Sequence, residues 1–508
     1  MKTSLIALGI AAASIAAVAG TPALAGKADD TLRIVWKETV PNIDPYFNQL
    51  RSGYIIASLT MDTLVLKNPA TGEYDPLLAT EWEWIDNTRI RFKLREGVTF
   101  NNGEAFNADD VVYTFNFAAN PDNKILLPNL SFIKEAVKID DYTVEVVFKE
   151  PFPAALEYIG SIMAIYPNEY HAEVGPEGMG RKLVGTGPYE VKEIDGVNRY
   201  LLTRREGYFD AAKGQPAIGN IEIRVVNDES TEMLELISGK ADWIWKYNAD
   251  QVAQLDAQPN LTANLFESMR MGFLNFNIIG DGKGTDNPVA NVKVRQAIAH
   301  AINKQELVEF LVQGDARVLD TPCFPAQIGC NVDAAVKYDY NPEKAKALLA
   351  EAGYPDGFST QVIGARNSQW VAKVQEDLGK VGIKAEASVI QGATLVDLFG
   401  QGGIPIGYWD WGSYSIMDVA ATLPAFFGGK SSSDRVGDAE VSELVNSAGT
   451  EVDPTKRQAL YDKAIQLITE RALTVPIHSF VVPYAYTDEL DFTPYPDEMP
   501  RFYFAKWK

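Results

Sequence analysis

Polar and apolar residues alternate along much of the first half of the chain. Residues 81–85 and 89–95 both run with period two, which predicts two half-buried antiparallel strands joined at Asp86-Asn87. Residues 31–36, 143–149, 189–191, 200–203 and 221–226 read as further strands. The segment up to about residue 66 is mixed and carries Arg51 and Tyr54. Asn107 caps a helix whose first turn holds Asp109 and Asp110, acids that a helix N-terminus favours. Pro151 and Pro153 break the chain before a helical patch at 154–158, and a helix at 229–238 stops at Gly239. In a strand, Trp243, Trp245 and Tyr247 share one face. The second half changes rhythm. A long helix is predicted over 292–312, after the alternating run 271–277. Asn341-Pro342 opens a helix that Gly353 stops. A helix from about Asn367 sets Val371, Val374, Leu378 and Val381 on one stripe, and a strand follows at 383–390. Asp453-Pro454 opens another helix, and alternation returns at 481–486. An α+β part is thus followed by an α/β part, the pattern of two lobes rather than one core.

One stretch fits neither rhythm. Residues 407–415 place Tyr408, Trp409, Trp411 and Tyr414 among Gly and Ser, with Asp410 between the tryptophans. Trp and Tyr combine a large apolar body with a polar handle, so the stretch reads either as a small-molecule pocket or as a corner capping a core. Composition narrows the partners. The 508 residues carry a net charge of −22, which repels nucleic acid and anionic lipid. The first 25 residues resemble a signal peptide. Lys2 is followed by an Ala-rich apolar run and by Ala23-Leu24-Ala25, which predicts export, cleavage after Ala25 and a mature start at Gly26. Nothing downstream has 18 continuous apolar residues, so a soluble exported protein is expected. Cys323 and Cys330 are the only cysteines; in an exported chain they read as a disulfide closing a short loop, since two thiols without a nearby His are too few for a metal.

Catalytic signatures are absent. The three histidines, His171, His300 and His478, lie far apart without a partner pattern, and no nucleophile elbow, zinc-helix motif or dinucleotide fingerprint occurs. Gly429-Lys430-Ser431 imitates the end of a phosphate loop, but Pro424 stands where its first glycine belongs. The chain offers aromatic, amide and guanidinium groups instead. Trp245, Tyr247, Trp409 and Trp411 suit stacking on sugar, peptide or amide planes; Asp410 suits an amine; Asn275, Asn367, Ser413 and Tyr414 add polar contacts. Arg366 sits where a strand feeds a helix, either as a clamp for a carboxylate or phosphate or as a surface residue.

Several motifs together resemble one family. They are Pro76 to Trp82, Arg91 to Phe100, Asn107-Ala108-Asp109-Asp110-Val111-Val112, Gly185-Thr186-Gly187-Pro188-Tyr189, Val294-Arg295-Gln296-Ala297-Ile298 and Tyr340 to Gly353. They are similar to those of extracytoplasmic solute-binding proteins of ABC importers, in the cluster that handles peptides, nickel complexes, opines and some oligosaccharides. The resemblance implies a two-lobed α/β fold with hinge strands and an extra subdomain in a mixed α+β first lobe. On this chain the first lobe is 26–270 plus 480–508 and the second is 271–479. It implies a monomer without enzymatic activity, cofactor or metal, which closes on a peptide or peptide-like solute and delivers it to a membrane permease and its ATPase subunits. An oligosaccharide or opine ligand is the alternative; a secreted hydrolase and a binder of unfolded segments are the rival functions. Peptide-binding relatives hold the ligand's amine with the acid of a Trp-Gly-Ala-Asp-Tyr run. Here Trp411-Gly412-Ser413-Tyr414-Ser415 puts Tyr414 in its place and leaves Asp410 or Asp418 as substitutes. Arg366 resembles the arginine that holds a carboxylate in dipeptide-binding relatives.

Overall fold

The structure, a computed structural model, describes residues 26–126, 130–282, 284 and 286–508. The expected signal segment 1–25, with the cleavage predicted after Ala25, lies outside the described residues. Among the described residues the strands build a mixed ten-stranded sheet and a separate antiparallel four-stranded sheet. The four-stranded sheet contains the predicted hairpin, Ala79–Asp86 with Arg89–Leu94, and continues through Thr143–Phe148 to Ile133–Asp140. Helix Ala108–Ala119 packs on it, started by a full capping box in which Asn107 and Asp110 satisfy each other's backbone N–H groups.

The large sheet runs through both lobes. Thr31–Trp36 lies parallel to Asn220–Val225 and to Trp243–Trp245 on the first-lobe side. On the second-lobe side, Ser359–Gly364 lies parallel to Lys384–Val389 and to Ile406–Trp411. Two long strands, Leu261–Phe276 and Thr474–Thr487, pair antiparallel and join the halves. Their register shifts between Ser268 and Met271, where the strand kinks and re-aims its side chains. Separate hydrophobic cores lie on the two sides. One is built around Trp36, Phe92, Phe115 and Trp243; others lie around Val294, Val374 and Ile406 and around Phe273, Trp409 and Ile465.

Four local expectations are corrected. The strand at Trp243 stops at Trp245, because Lys246 turns left-handed at φ 55°. Tyr247 therefore leaves the face of the two tryptophans and packs in a different cluster. The predicted helix 292–312 is broken: Val292–Ala301 ends at Ile302, and Asn303 caps a new turn at Lys304–Leu307 that widens into a π turn at Val308–Val312. The patch at 154–158 extends to a helix over Ala155–Ile162. From sequence, Gly185-Thr186-Gly187-Pro188 reads as a tight turn whose glycines supply backbone angles that other residues resist, but neither glycine has a positive φ. A Cβ at Gly185 would lie 2.1 Å from the Thr60 carbonyl oxygen, and one at Gly187 would lie 2.4 Å from the Thr60 carbonyl carbon. The turn thus lets two backbones touch where helix Arg51–Thr60 ends, and Gly187 N–H donates to the Thr60 carbonyl at 3.0 Å.

Candidate ligand-binding site

A cleft of about 480 Å³ opens between the two sides of the molecule. Its back wall is the joining strand at Phe480, Val481, Val482 and Pro483. The start of helix Arg51–Thr60 contributes Arg51 and Tyr54, and the turn after Trp245 contributes Lys246. The kink at Ser268–Met271 aims Arg270 inward, and the second lobe supplies Arg366, Trp411 and Tyr414.

The cleft floor is an ion-pair network. Arg270 donates from Nη1 to Asp410 Oδ1 at 2.6 Å and from Nε to Glu498 Oε1 at 3.1 Å. Arg366 Nε donates to the other oxygen of Asp410 at 2.8 Å. Arg51 Nη2 lies 3.8 Å from Glu498 Oε2, and the same guanidinium donates to Ser415 Oγ. Ser268 Oγ donates to Glu498 Oε1 at 2.6 Å. Lys246 stands 4.0 Å over the Trp245 ring with its ammonium 3.8 Å from Glu38. Burial alone would raise the Glu498 carboxyl, but Arg270, Arg51 and Lys246 hold it well below the usual carboxylate range. Burial pulls the Lys246 ammonium down, and Glu498 and Glu38 offset this only in part. Among the described residues, Arg51, Lys246, Arg270 and Arg366 thus meet only Glu38, Asp410 and Glu498. The site carries one positive charge more than negative in a chain whose total is −22.

The structure sorts the residues that the sequence singled out. Arg366, Trp411, Ser413, Tyr414 and Tyr247 line the cleft, and Asp410 lies beneath it. Asp410 is not an open anchor for an amine, because two arginines already hold its oxygens. Asp418 is buried in a bidentate pair with Arg457, away from the cleft. Trp245 is a core residue packed on Trp243 and Tyr484, so it supports Lys246 rather than facing solute. Trp409 points away from Tyr408 and Asp410, as alternate strand residues must, and is buried between Phe399 and Phe426. Asn275 is fully buried and donates to the Ser433 carbonyl. Asn367 spends its side-chain oxygen on capping helix Ser368–Gly379. The Ser413 hydroxyl is paired with Thr422, so only its surroundings shape the cleft.

Sequence reasoning missed Glu38, Lys246, Arg270 and Glu498 as cleft residues and noted Arg51 and Tyr54 without assigning them a role. The available signal was Arg270, a charge interrupting an apolar alternating run between Met269 and Met271. The histidines stay out of the cleft. His171 and His478 are buried and pushed down to about 4 by burial, and His478 shares a hydrogen bond with Tyr408. His300 is buried against the Asp339 carbonyl. Cys323 and Cys330 form the expected disulfide. Its loop hydrogen-bonds to the segment after Ser415: Ile328 N–H donates to Met417, and Val419 N–H donates back to Ile328. That segment reaches across the cleft, with Ile416 buried in the first-lobe core and Met417 N–H donating to Glu157 at 3.3 Å.

Comparison with known proteins agrees with this architecture. The chain is 29% identical over 401 residues to the glutathione-binding protein GsiB of Pectobacterium atrosepticum, covering 75% of each chain. It is 28% identical over 443 residues to heme-binding protein A of Haemophilus influenzae, covering 80% of this chain and 79% of that one. The solved structure of HbpA2 from Haemophilus parasuis superposes with a TM-score of 0.82 at 26% identity, over 94% of this chain and all of that one. Residues 73–434 match the family model of bacterial extracellular solute-binding proteins, family 5, and the chain belongs to that family.

Proposed function

We propose that this solute-binding protein captures a small peptide or peptide-like solute bearing at least one carboxylate and hands it to an ABC permease. The observation that carries the reading is the excess positive charge of the cleft, set by Arg51, Lys246, Arg270 and Arg366. A carboxylate is the group that a guanidinium grips in a bidentate way, and here it would neutralise the excess. Asp410 is closed to a free amine, because it is held from both sides. The glutathione-binding relative supports an anionic peptide. Opine acids share the carboxylate chemistry; a neutral oligosaccharide does not.

In this reading the signal segment is removed after Ala25 and the mature monomer works in the periplasm without catalysing a reaction. The lobes meet near residues 270 and 480, and they close on the solute by bending there. A thermal-unfolding screen of ligand-free protein tests the ligand class. A solute at a hundred times its Kd adds about 2.7 kcal/mol. At roughly 2 cal/mol/K of unfolding entropy per residue, that raises Tm by about 3 °C. Glutathione, acidic dipeptides and opine acids form the carboxylate arm, and maltotriose the neutral arm. A shift with maltotriose and with none of the carboxylates would refute the reading.

A further inference from the structure

A second cavity lies behind the first. It has a volume of about 690 Å³, within the range of small-molecule sites, and shares Trp411 and Tyr414 with the charged cleft as a common wall. Its lining joins polar residues, among them Lys149, Glu150, Lys430 and Asn446, to an aromatic cluster that the cleft lacks. Phe152, half-buried and stacked on Phe132 at 4.4 Å, lines the second cavity from the first lobe with the edge of Tyr158; the edges of the buried Trp409 and Phe426 reach it from the second. The partition is a strained segment. Ser413, Tyr414 and Ser415 all have left-handed backbones, with φ of 50°, 51° and 68°. Their neighbours pin them: Ser413 Oγ bonds Thr422 at 2.6 Å, and Ser415 Oγ donates to the Asp497 carbonyl at 2.7 Å. Tyr414 is 37% exposed, so its ring stands between two open spaces rather than in a core.

We infer that the second cavity is a subsite for a flat apolar or aromatic arm of the solute, entered past the Tyr414 ring, while a carboxylate head stays on the arginines. This rests on the carboxylate reading of the cleft. Aromatic walls take a planar group by stacking and edge contact, and the rings with free surface here are Phe152 on the first lobe and Trp411 and Tyr414 on the second. Bridging both cavities, such a solute holds the lobes together at two points instead of one.

Calorimetric titration of ligand-free mature protein tests the inference with two pairs of probes: Ala-Glu against N-(2-naphthoyl)-Ala-Glu, and glutathione against S-(1-naphthylmethyl)glutathione. At least one naphthyl compound should bind tenfold or more tightly than its parent. The variant Gly449→Trp should erase that gain and leave the parent's affinity unchanged. Gly449 lines the second cavity on a helix, and a Cβ there meets nothing within 4 Å, so a larger side chain leaves the helix into open space. If naphthyl compounds bind no more tightly than their parents, or the gain survives Gly449→Trp, the subsite is refuted while the charged cleft stands. If no carboxylate probe binds, with or without an arm, the carboxylate reading falls and the subsite with it.

Discussion

Replacing Glu498 by Gln should unsettle the ligand-free protein more than any other single charge removal in the cleft. Glu498 is 3% exposed and accepts from Ser268 and Arg270, with Arg51 beyond at 3.8 Å. At an effective dielectric of about 20, a unit charge 3–4 Å away contributes about 4–5 kcal/mol before desolvation is counted. Removing one partner of a buried pair strands the other, at a cost of about 3–5 kcal/mol. Gln keeps the shape and can still accept from Ser268, so the low end, about 3 kcal/mol, is expected.

The pH dependence gives the sharper test. The folded pKa of Glu498 is depressed, so the carboxylate's contribution is fully present above its unfolded value of about 4.3 and is lost as pH falls below that toward the folded value. The gap between parent and variant should therefore be largest at pH 7 and narrow progressively below about pH 4. Ligand-free thermal or urea unfolding at both ends of that range measures it, and at pH 7 the expected fall in Tm is about 3 °C. A gap under about 0.5 kcal/mol at pH 7, or one that is flat with pH, would show that the arginines do not depend on this carboxylate.

Arg366→Ala should weaken a carboxylate ligand by about 10- to 100-fold, the worth of one charge-assisted hydrogen bond, and change a neutral ligand by less than threefold in calorimetry. Reducing Cys323–Cys330 should lower stability by about 2–3 kcal/mol, as expected for so short a loop, and should speed ligand release in stopped-flow, because the loop braces the segment after Ser415. Gly187→Ala should cost at least about 2 kcal/mol in urea unfolding, because its Cβ meets the Thr60 backbone rather than a movable side chain.

What the sequence revealed was local. The caps at Asn107, Asn341-Pro342 and Asp453-Pro454 each satisfy backbone donors within a turn, so helices Ala108–Ala119, Pro342–Glu351 and Pro454–Glu470 begin where their residues say. Alternation likewise exposed the hairpin at Asp86-Asn87: Arg89–Leu94 buries every second residue, while its edge-strand partner Ala79–Asp86 leaves Trp84 exposed. The motifs carried the fold, and the match over 73–434 bears that out. The cleft was less legible because its charges come from positions 38, 51, 246, 270, 366, 410 and 498, joined only by tertiary pairing. Lys246 and Arg270 also sit at backbone irregularities, a left-handed turn and a strand kink, that no periodicity announces. The stretch 407–415 could be read as core or pocket because it is both: Trp409 is buried with only an edge on the second cavity, while Trp411 and Tyr414 present open surface to both cavities.

The opposition between a chain at −22 and a cleft with surplus positive charge makes a kinetic prediction. At 10 mM ionic strength fields reach about 30 Å, so an approaching anion feels the whole acidic surface before it meets Arg51 and Arg270. At 0.1 M the reach falls to about 10 Å, and distant acids drop out of the encounter. The pairs formed inside are half-buried and screened far less. Association of a dicarboxylate ligand should therefore quicken with salt over this range, while dissociation changes little, the reverse of ordinary attraction between opposite charges. Stopped-flow titration of the aromatic fluorescence near Trp411 at 10, 50 and 100 mM salt measures both rates. Association that slows as salt is added would mean that the cleft's own field governs capture, and that the net charge of the chain has no part in how the solute arrives.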